Sequence, residues 1–243
     1  RGRQLANCCV AAKRPLRYWL DMNIAVKFEP YDKLATDLLP HAIEDASDAS
    51  QDAAHIVRVW GNVQAISDAE GGDMEVLAAA TLLHDCVNLP KDSPDRRQAS
   101  RLAAQKSQDL LTGYGWVDSK VAKVVHAIEA HSFSAQIEPI TIEAKVLQDA
   151  DRLDAIGYTG VARCFYVSGR LGRALYDPED PEARHRELND LDFAIDHFTT
   201  KLLKLSSCFQ TKAGQELANA RHCVVVQFLQ GFLAEVTPKS RRL

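Results

Sequence analysis

The chain lacks any run of about 18 apolar residues, so nothing in it reads as a bilayer-spanning helix. It also lacks a CxxC pair and an apolar secretory segment. Its six cysteines (Cys8, Cys9, Cys86, Cys164, Cys208 and Cys223) are scattered, and only the first two are close together. That pattern excludes a disulfide framework and points to reduced thiols in a cytoplasmic protein, with Cys86, Cys164 and Cys223 packed in the core. An excess of basic charge is missing too. The net charge of −4 leaves no electrostatic footprint for duplex nucleic acid. A small anionic substrate is not excluded, because one cation or a few Lys and Arg reverse the sign locally. There is no Gly-rich phosphate loop, no internal repeat and no low-complexity tract. What remains is 243 residues, 46% of them hydrophobic, enough to bury a core of its own.

The first 20 residues carry Arg1, Arg3, Lys13, Arg14 and Arg17, with no acid before Asp21. Residues 1–28 therefore read as a leader, either a targeting segment or an extension ahead of a start at Met22, and 238–243 as a short tail. Between them, 29–237 is expected to form one all-α domain. In "DAAHIVRVWGNVQAISDAEGG" (52–72), Ile56, Trp60, Val63 and Ile66 recur at three- and four-residue steps, and Gly71 and Gly72 stop the pattern. Asp73 then caps "MEVLAAATLLHD", whose Ala and Leu content suits the centre of a bundle. Further helices are expected over 92–115, 117–132 and 141–169, the last broken near Gly157. A polar segment with two prolines, 177–190, reads as a surface loop. Amphipathic helices at 191–206 and 213–235 close the chain. "CVVVQFL" (223–229), strand-like by propensity alone, falls within the last of these.

Four positions interrupt these apolar patterns: His55, His84 and Asp85, and Asp151. An unpaired buried carboxylate is costly and two are worse. A divalent cation shared with two neutral imidazoles removes that cost, and adjacent residues at a helix end can both reach it.

The ordered set His55, His84-Asp85 after "AAATLL", and Asp151 within "QDADRLDAIG" resembles the H…HD…D pattern of the HD-domain metal-dependent phosphohydrolases. "HAIEAHSFS" (126–134) and "DHFTTKLLKL" (196–205) are similar to a bacterial HD-hydrolase subfamily, and the resemblance runs over roughly 30–235. It implies an all-α HD-type helical bundle with a divalent ion (Mn, Mg, Fe, Ni, Co or Zn) held by His55, His84, Asp85 and Asp151. The implied activity is metal-dependent hydrolysis of a small phosphorylated substrate, nucleotides among the candidates, by a metal-activated water.

Asp85 then serves the reaction as well as the ion. Arg58, one turn after His55, and Lys91, six residues past the doublet, are candidates for phosphate contact; Arg152 and Ser100 are weaker ones. His131 is a candidate general acid. Alternatively His126 and His131 hold a second metal. Five residues apart, they lie about 140° from each other on a continuous helix, so both face one site only if the helix ends near Ala130. Asp149 is expected to serve behind the ligands or at the surface, and Asp154 to orient Arg152 or a ligand. His41, His185, His197 and His222 match no part of the pattern. Two rival functions stay open: a dinuclear-iron oxygenase on the same scaffold, and a nucleotide-binding regulatory module without turnover.

Overall fold

The structure is a computed structural model, and it describes residues 24–42, 53–87, 89, 98–132 and 135–237. The expected all-α fold is what it shows. A 3-10 turn, Ile24–Phe28, precedes α1 (Asp32–Ala42), α2 (Ala53–Glu70), α3 (Met74–Leu83), α4 (Ala99–Gly113), α5 (Asp118–His131), α6 (Ile142–Asp154) and α7 (Gly157–Arg170). After a long connection, a π-helical turn, Phe198–Leu202, runs into Leu203–Leu205, and α8 (Lys212–Val236) ends the described chain. Among the described residues the only β-type pairing is an isolated bridge between Ala174 and Phe193.

The placement of the site follows from α3. The Asp73 carboxylate accepts the Glu75 and Val76 amides at 3.1 and 3.3 Å and starts the helix. Every residue from Val76 to Leu83 is buried, because a helix apolar on all sides can only sit at the centre of a bundle. It packs against α1, α2, α5 and α6, and Ala78, Ala79 and Ala80 let those neighbours approach closely. The core rod therefore ends inside the protein, and the next two residues, His84 and Asp85, are delivered there.

Three expectations about the fold need correction. The leader was expected to reach residue 28, yet Ile24 and Phe28 are buried, and Phe28 stacks on Trp60 with ring centroids 4.9 Å apart. The folded domain thus extends at least to Ile24, since a fully buried aromatic pair is core. Phe28→Ala is expected to cost about 3–5 kcal/mol, read as a lower urea midpoint at unchanged slope. The helix expected over 191–206 begins later. The amides of Ala174, Ala194 and Ile195 bond to Asp192, Ala174 and Leu175 across the chain, which removes 192–195 from a helical ladder. Cys86 and Cys164 are buried as expected, but Cys223 is exposed, because it lies on a face of α8 that no other described element covers. The 177–190 connection is pinned by Arg186, which bridges to Asp196 at 2.5 and 3.0 Å and to Asp177 at 3.2 Å and lies over the Phe193 ring. Residues 238–243, and most of the expected leader, lie outside the described residues.

Candidate metal centre

The start of α2 and the ends of α3, α5 and α6 meet at one point. His55, in the first turn of α2, and His84, just past α3, are almost fully buried. Their Nε2 atoms lie 3.2 Å apart. Asp85 Oδ2 is 3.7 Å from His55 Nε2 and 3.4 Å from His84 Nε2. Asp151 Oδ1 is 3.5 and 4.0 Å from the same two atoms. The two carboxylate side chains keep 27% and 31% exposure. The imidazoles thus form the floor and the acids the open side.

Hydrogen bonds on the far side of each ring decide what the near side offers. His55 Nδ1 is 2.8 Å from Asp154 Oδ2, His84 Nδ1 is 2.8 Å from Thr81 O, and His131 Nδ1 is 2.6 Å from Ile128 O. All three partners only accept, so each Nδ1 carries the hydrogen. In the neutral rings the His55 and His84 Nε2 lone pairs then face each other with no proton between them. Donors sharing one ion at about 2.1 Å sit roughly 3.0 Å apart at a right angle and about 4.2 Å apart across it. All five separations above fall within that span. His55, His84 and Asp151 form a group that could hold an ion, and Asp85 Oδ2 lies beside both imidazoles without belonging to that group. Mixed imidazole and carboxylate donors suit a first-row divalent metal.

The electrostatics describe a site in need of positive charge. Burial alone would lower the His55 imidazole, but the Asp154 hydrogen bond and the charges of Asp151 and Asp85 outweigh it and raise its pKa above 6.5. His131 is raised in the same way, with Asp85 as the main opponent of burial. His84 is lowered by complete burial, and the neighbouring imidazoles reinforce this against Asp85. Burial would raise Asp85, yet His84, His131 and His55 hold it well below the usual carboxylate range.

The remaining candidates separate clearly. His131 ends α5 and places Nε2 3.6 Å from Asp85 Oδ1, at the wall of the site. His126 is not brought there. The helix runs through to His131, and His126 Nε2 accepts the Ile140 amide at 3.1 Å, so the His126/His131 pair does not assemble a second centre. Arg58 is engaged behind the site, donating from Nε and Nη2 to Asp154 at 2.6 and 3.1 Å. Lys91 lies outside the described residues. Arg152 lies over the Phe209 ring, and Ser100 is buried in the first turn of α4. Asp149 is neither behind the ligands nor at the surface. It is fully buried and accepts the amides of Gln210 and Thr211 and the Thr211 hydroxyl, at 2.7–3.1 Å. It thereby straps the chain ahead of α8 to α6. Burial pushes Asp149 up despite these donors.

No sequence pattern marks Arg163, Asn62 and Arg221, because their partners are assembled only in three dimensions. Arg163 of α7 donates to Asp154 at 3.0 Å. Asn62 of α2 holds Ala150 O, and Arg221 of α8 holds Leu153 O, at 2.8 and 2.6 Å. These bonds fix the C-terminal carbonyls of the helix that carries Asp151. Gly157, at φ +74°, packs against the Arg221 side chain where a Cβ would crowd it.

A buried helical bundle with imidazoles and carboxylates converging from an ordered H…HD…D set defines a class, and comparison places the chain in it. The HD-domain family model matches residues 52–156, and the chain belongs to the HD-domain superfamily. It is 33% identical over 186 residues to the uncharacterized protein YpgQ of Bacillus subtilis strain 168, covering 75% of this chain and 82% of that protein. An HD-superfamily hydrolase from Bacillus thuringiensis superposes with a TM-score of 0.62 at 30% identity, over 92% of this chain and 99% of that one. Bacillus subtilis YpgQ in complex with ADP superposes with a TM-score of 0.64 at 30% identity, over 84% and 98% of the two chains.

Proposed function

We propose that the protein is a metal-dependent phosphohydrolase of small phosphorylated metabolites, nucleotides first among them. The observation that carries this reading is the pair of facing Nε2 atoms 3.2 Å apart, flanked by two carboxylates. His55, His84, Asp85 and Asp151 would hold one divalent cation. When bound, such a cation supplies a water that ionises near neutral pH and a Lewis acid for a phosphoryl oxygen.

The protein's own groups do the rest. Asp85 is within reach of all three imidazoles and orients them while its charge balances the site. His131, with Nδ1 tied to the Ile128 carbonyl, holds its transferable proton at Nε2 beside Asp85 and gives it to the leaving-group oxygen. Burial of the imidazole floor keeps bulk water off that proton. The complex of YpgQ with ADP supports a nucleotide as the ligand. Among the described residues Cys164, Cys208 and Cys223 form no disulfide, which suits a reducing compartment. Among the described residues no helix is long and apolar enough to cross a membrane.

The test is elemental analysis of the purified protein with a phosphoester panel under each candidate metal. The expected result is close to one ion per chain and phosphate or pyrophosphate release from at least one nucleotide. Two irons with oxygen consumption, or nucleotide binding without release under every metal, would overturn the reading. Affinity for the ion should also depend on pH in a fixed direction. Binding displaces protons, and His55 is held above 6.5, so affinity weakens as pH falls below that raised value and levels off above it. The slope is at most about tenfold per pH unit for one displaced proton, measured by titration calorimetry between about pH 6 and 8.

A further inference from the structure

Asp154 ends α6 with its side chain 1% exposed, yet it touches neither the four converging donor atoms nor solvent. Its two oxygens take four hydrogen bonds. Oδ1 accepts Arg58 Nε at 2.6 Å; Oδ2 accepts His55 Nδ1 at 2.8 Å, Arg163 Nη1 at 3.0 Å and Arg58 Nη2 at 3.1 Å. The donors come from α2 and α7, so three helices meet on one carboxylate.

We propose that Asp154, clamped by Arg58 and Arg163, is a positioning residue that sets the tautomer and ring orientation of His55 and so the affinity of the site for its ion. This rests on the metal-site reading above. A carboxylate this deeply buried beside a neutral imidazole would be an uncompensated charge. Two guanidiniums hold it ionised and fix both oxygens, so Oδ2 is aimed at one point only. His55 is hydrogen-bonded at that point, its hydrogen is confined to Nδ1, and the Nε2 lone pair is directed toward the cluster. Arg58 lies one turn along α2 from His55, so ring and clamp share one rigid element. Among the described residues Arg163 makes its ion pair with that carboxylate, so it acts on the site through Asp154. Its side chain is 30% exposed, so its loss leaves no buried cavity.

The experiment compares wild type, Asp154→Asn, Arg163→Gln and the double variant by Mn²⁺ titration calorimetry. Thermal midpoints of the metal-free proteins and ¹⁵N-histidine NMR of the metal-free ring accompany it. Asp154→Asn is expected to weaken Mn²⁺ binding roughly 10–100-fold, and Arg163→Gln less. The double variant should bind no more weakly than Asp154→Asn alone, since both changes remove the same constraint. The His55 ring should lose its single Nδ1–H form in Asp154→Asn. Arg163→Gln retains Arg58 on the carboxylate, so it carries the test if Asp154→Asn does not fold. A general loss of packing would lower the thermal midpoint without changing the tautomer. Unchanged Mn²⁺ affinity in Asp154→Asn, or additive losses in the double variant, overturns this role while leaving the hydrolase reading intact. Absence of Mn²⁺ binding by wild type overturns both.

Discussion

The His84→Ala/Asp85→Ala protein is expected to bind no Mn²⁺ and to lose phosphoester hydrolysis by on the order of 10³-fold or more, equivalent to about 4 kcal/mol of transition-state stabilisation. The two residues supply one of the two facing Nε2 atoms and the carboxylate that touches all three imidazoles. No neighbouring helix can replace them, because they follow directly on the buried end of α3. A second readout is independent of catalysis. Saturating Mn²⁺ at about 100 times its dissociation constant should stabilise wild type by about 2.7 kcal/mol. That is a rise in thermal midpoint of roughly 5–10 °C for a chain of this size, and the variant should show none. Turnover at the wild-type rate in the double variant would remove the proposed mechanism.

Asp149→Ala is expected to destabilise the protein by about 3–5 kcal/mol, a thermal midpoint lower by roughly 10 °C, with Mn²⁺ binding retained in the folded fraction. Its carboxylate is the acceptor for two amides and a hydroxyl of the strap before α8. Removing it leaves those donors unmatched, two of them on the buried Thr211. Gly214, in the first turn of α8, leaves room for this arrangement: a Cβ there would collide with Asp149 Oδ2 and Thr211 Oγ1. Loss of Mn²⁺ binding with unchanged stability would reverse the roles assigned to Asp149 and Asp151.

The contrast between these two aspartates shows what a sequence can carry. Helix positions follow from local periodicity, and α2, α3, α5 and α6 lie where three- and four-residue spacing puts them. The convergence of His55, His84, Asp85 and Asp151 was legible for a related reason. Each is a polar residue in an apolar context, where burial demands a partner. Asp149 stands in the same context and demands one equally, but its partners lie 61 and 62 residues away, in a connection with no pattern of its own. Arg163 and Arg221 belong to no motif in the chain, and only tertiary packing turns them toward α6. The 191–206 segment departs from its helical apolar spacing because the amides at 194 and 195 are claimed by residues 174 and 175. Cys223 follows the same rule in reverse. Its helix is apolar enough to be core, but among the described residues no element lies over that face.

The uneven exposure of the site has a consequence for which metal a preparation contains. With the nitrogens beneath and the partly exposed acids at the mouth, an incoming ion would meet oxygen first and leave by the same door. A centre of that kind exchanges with its surroundings during growth and dialysis, and nitrogen–oxygen donor sets rank first-row ions mainly by the Irving–Williams order. The occupant found after purification is therefore expected to track the supply in the medium, with copper or zinc displacing manganese wherever they are free.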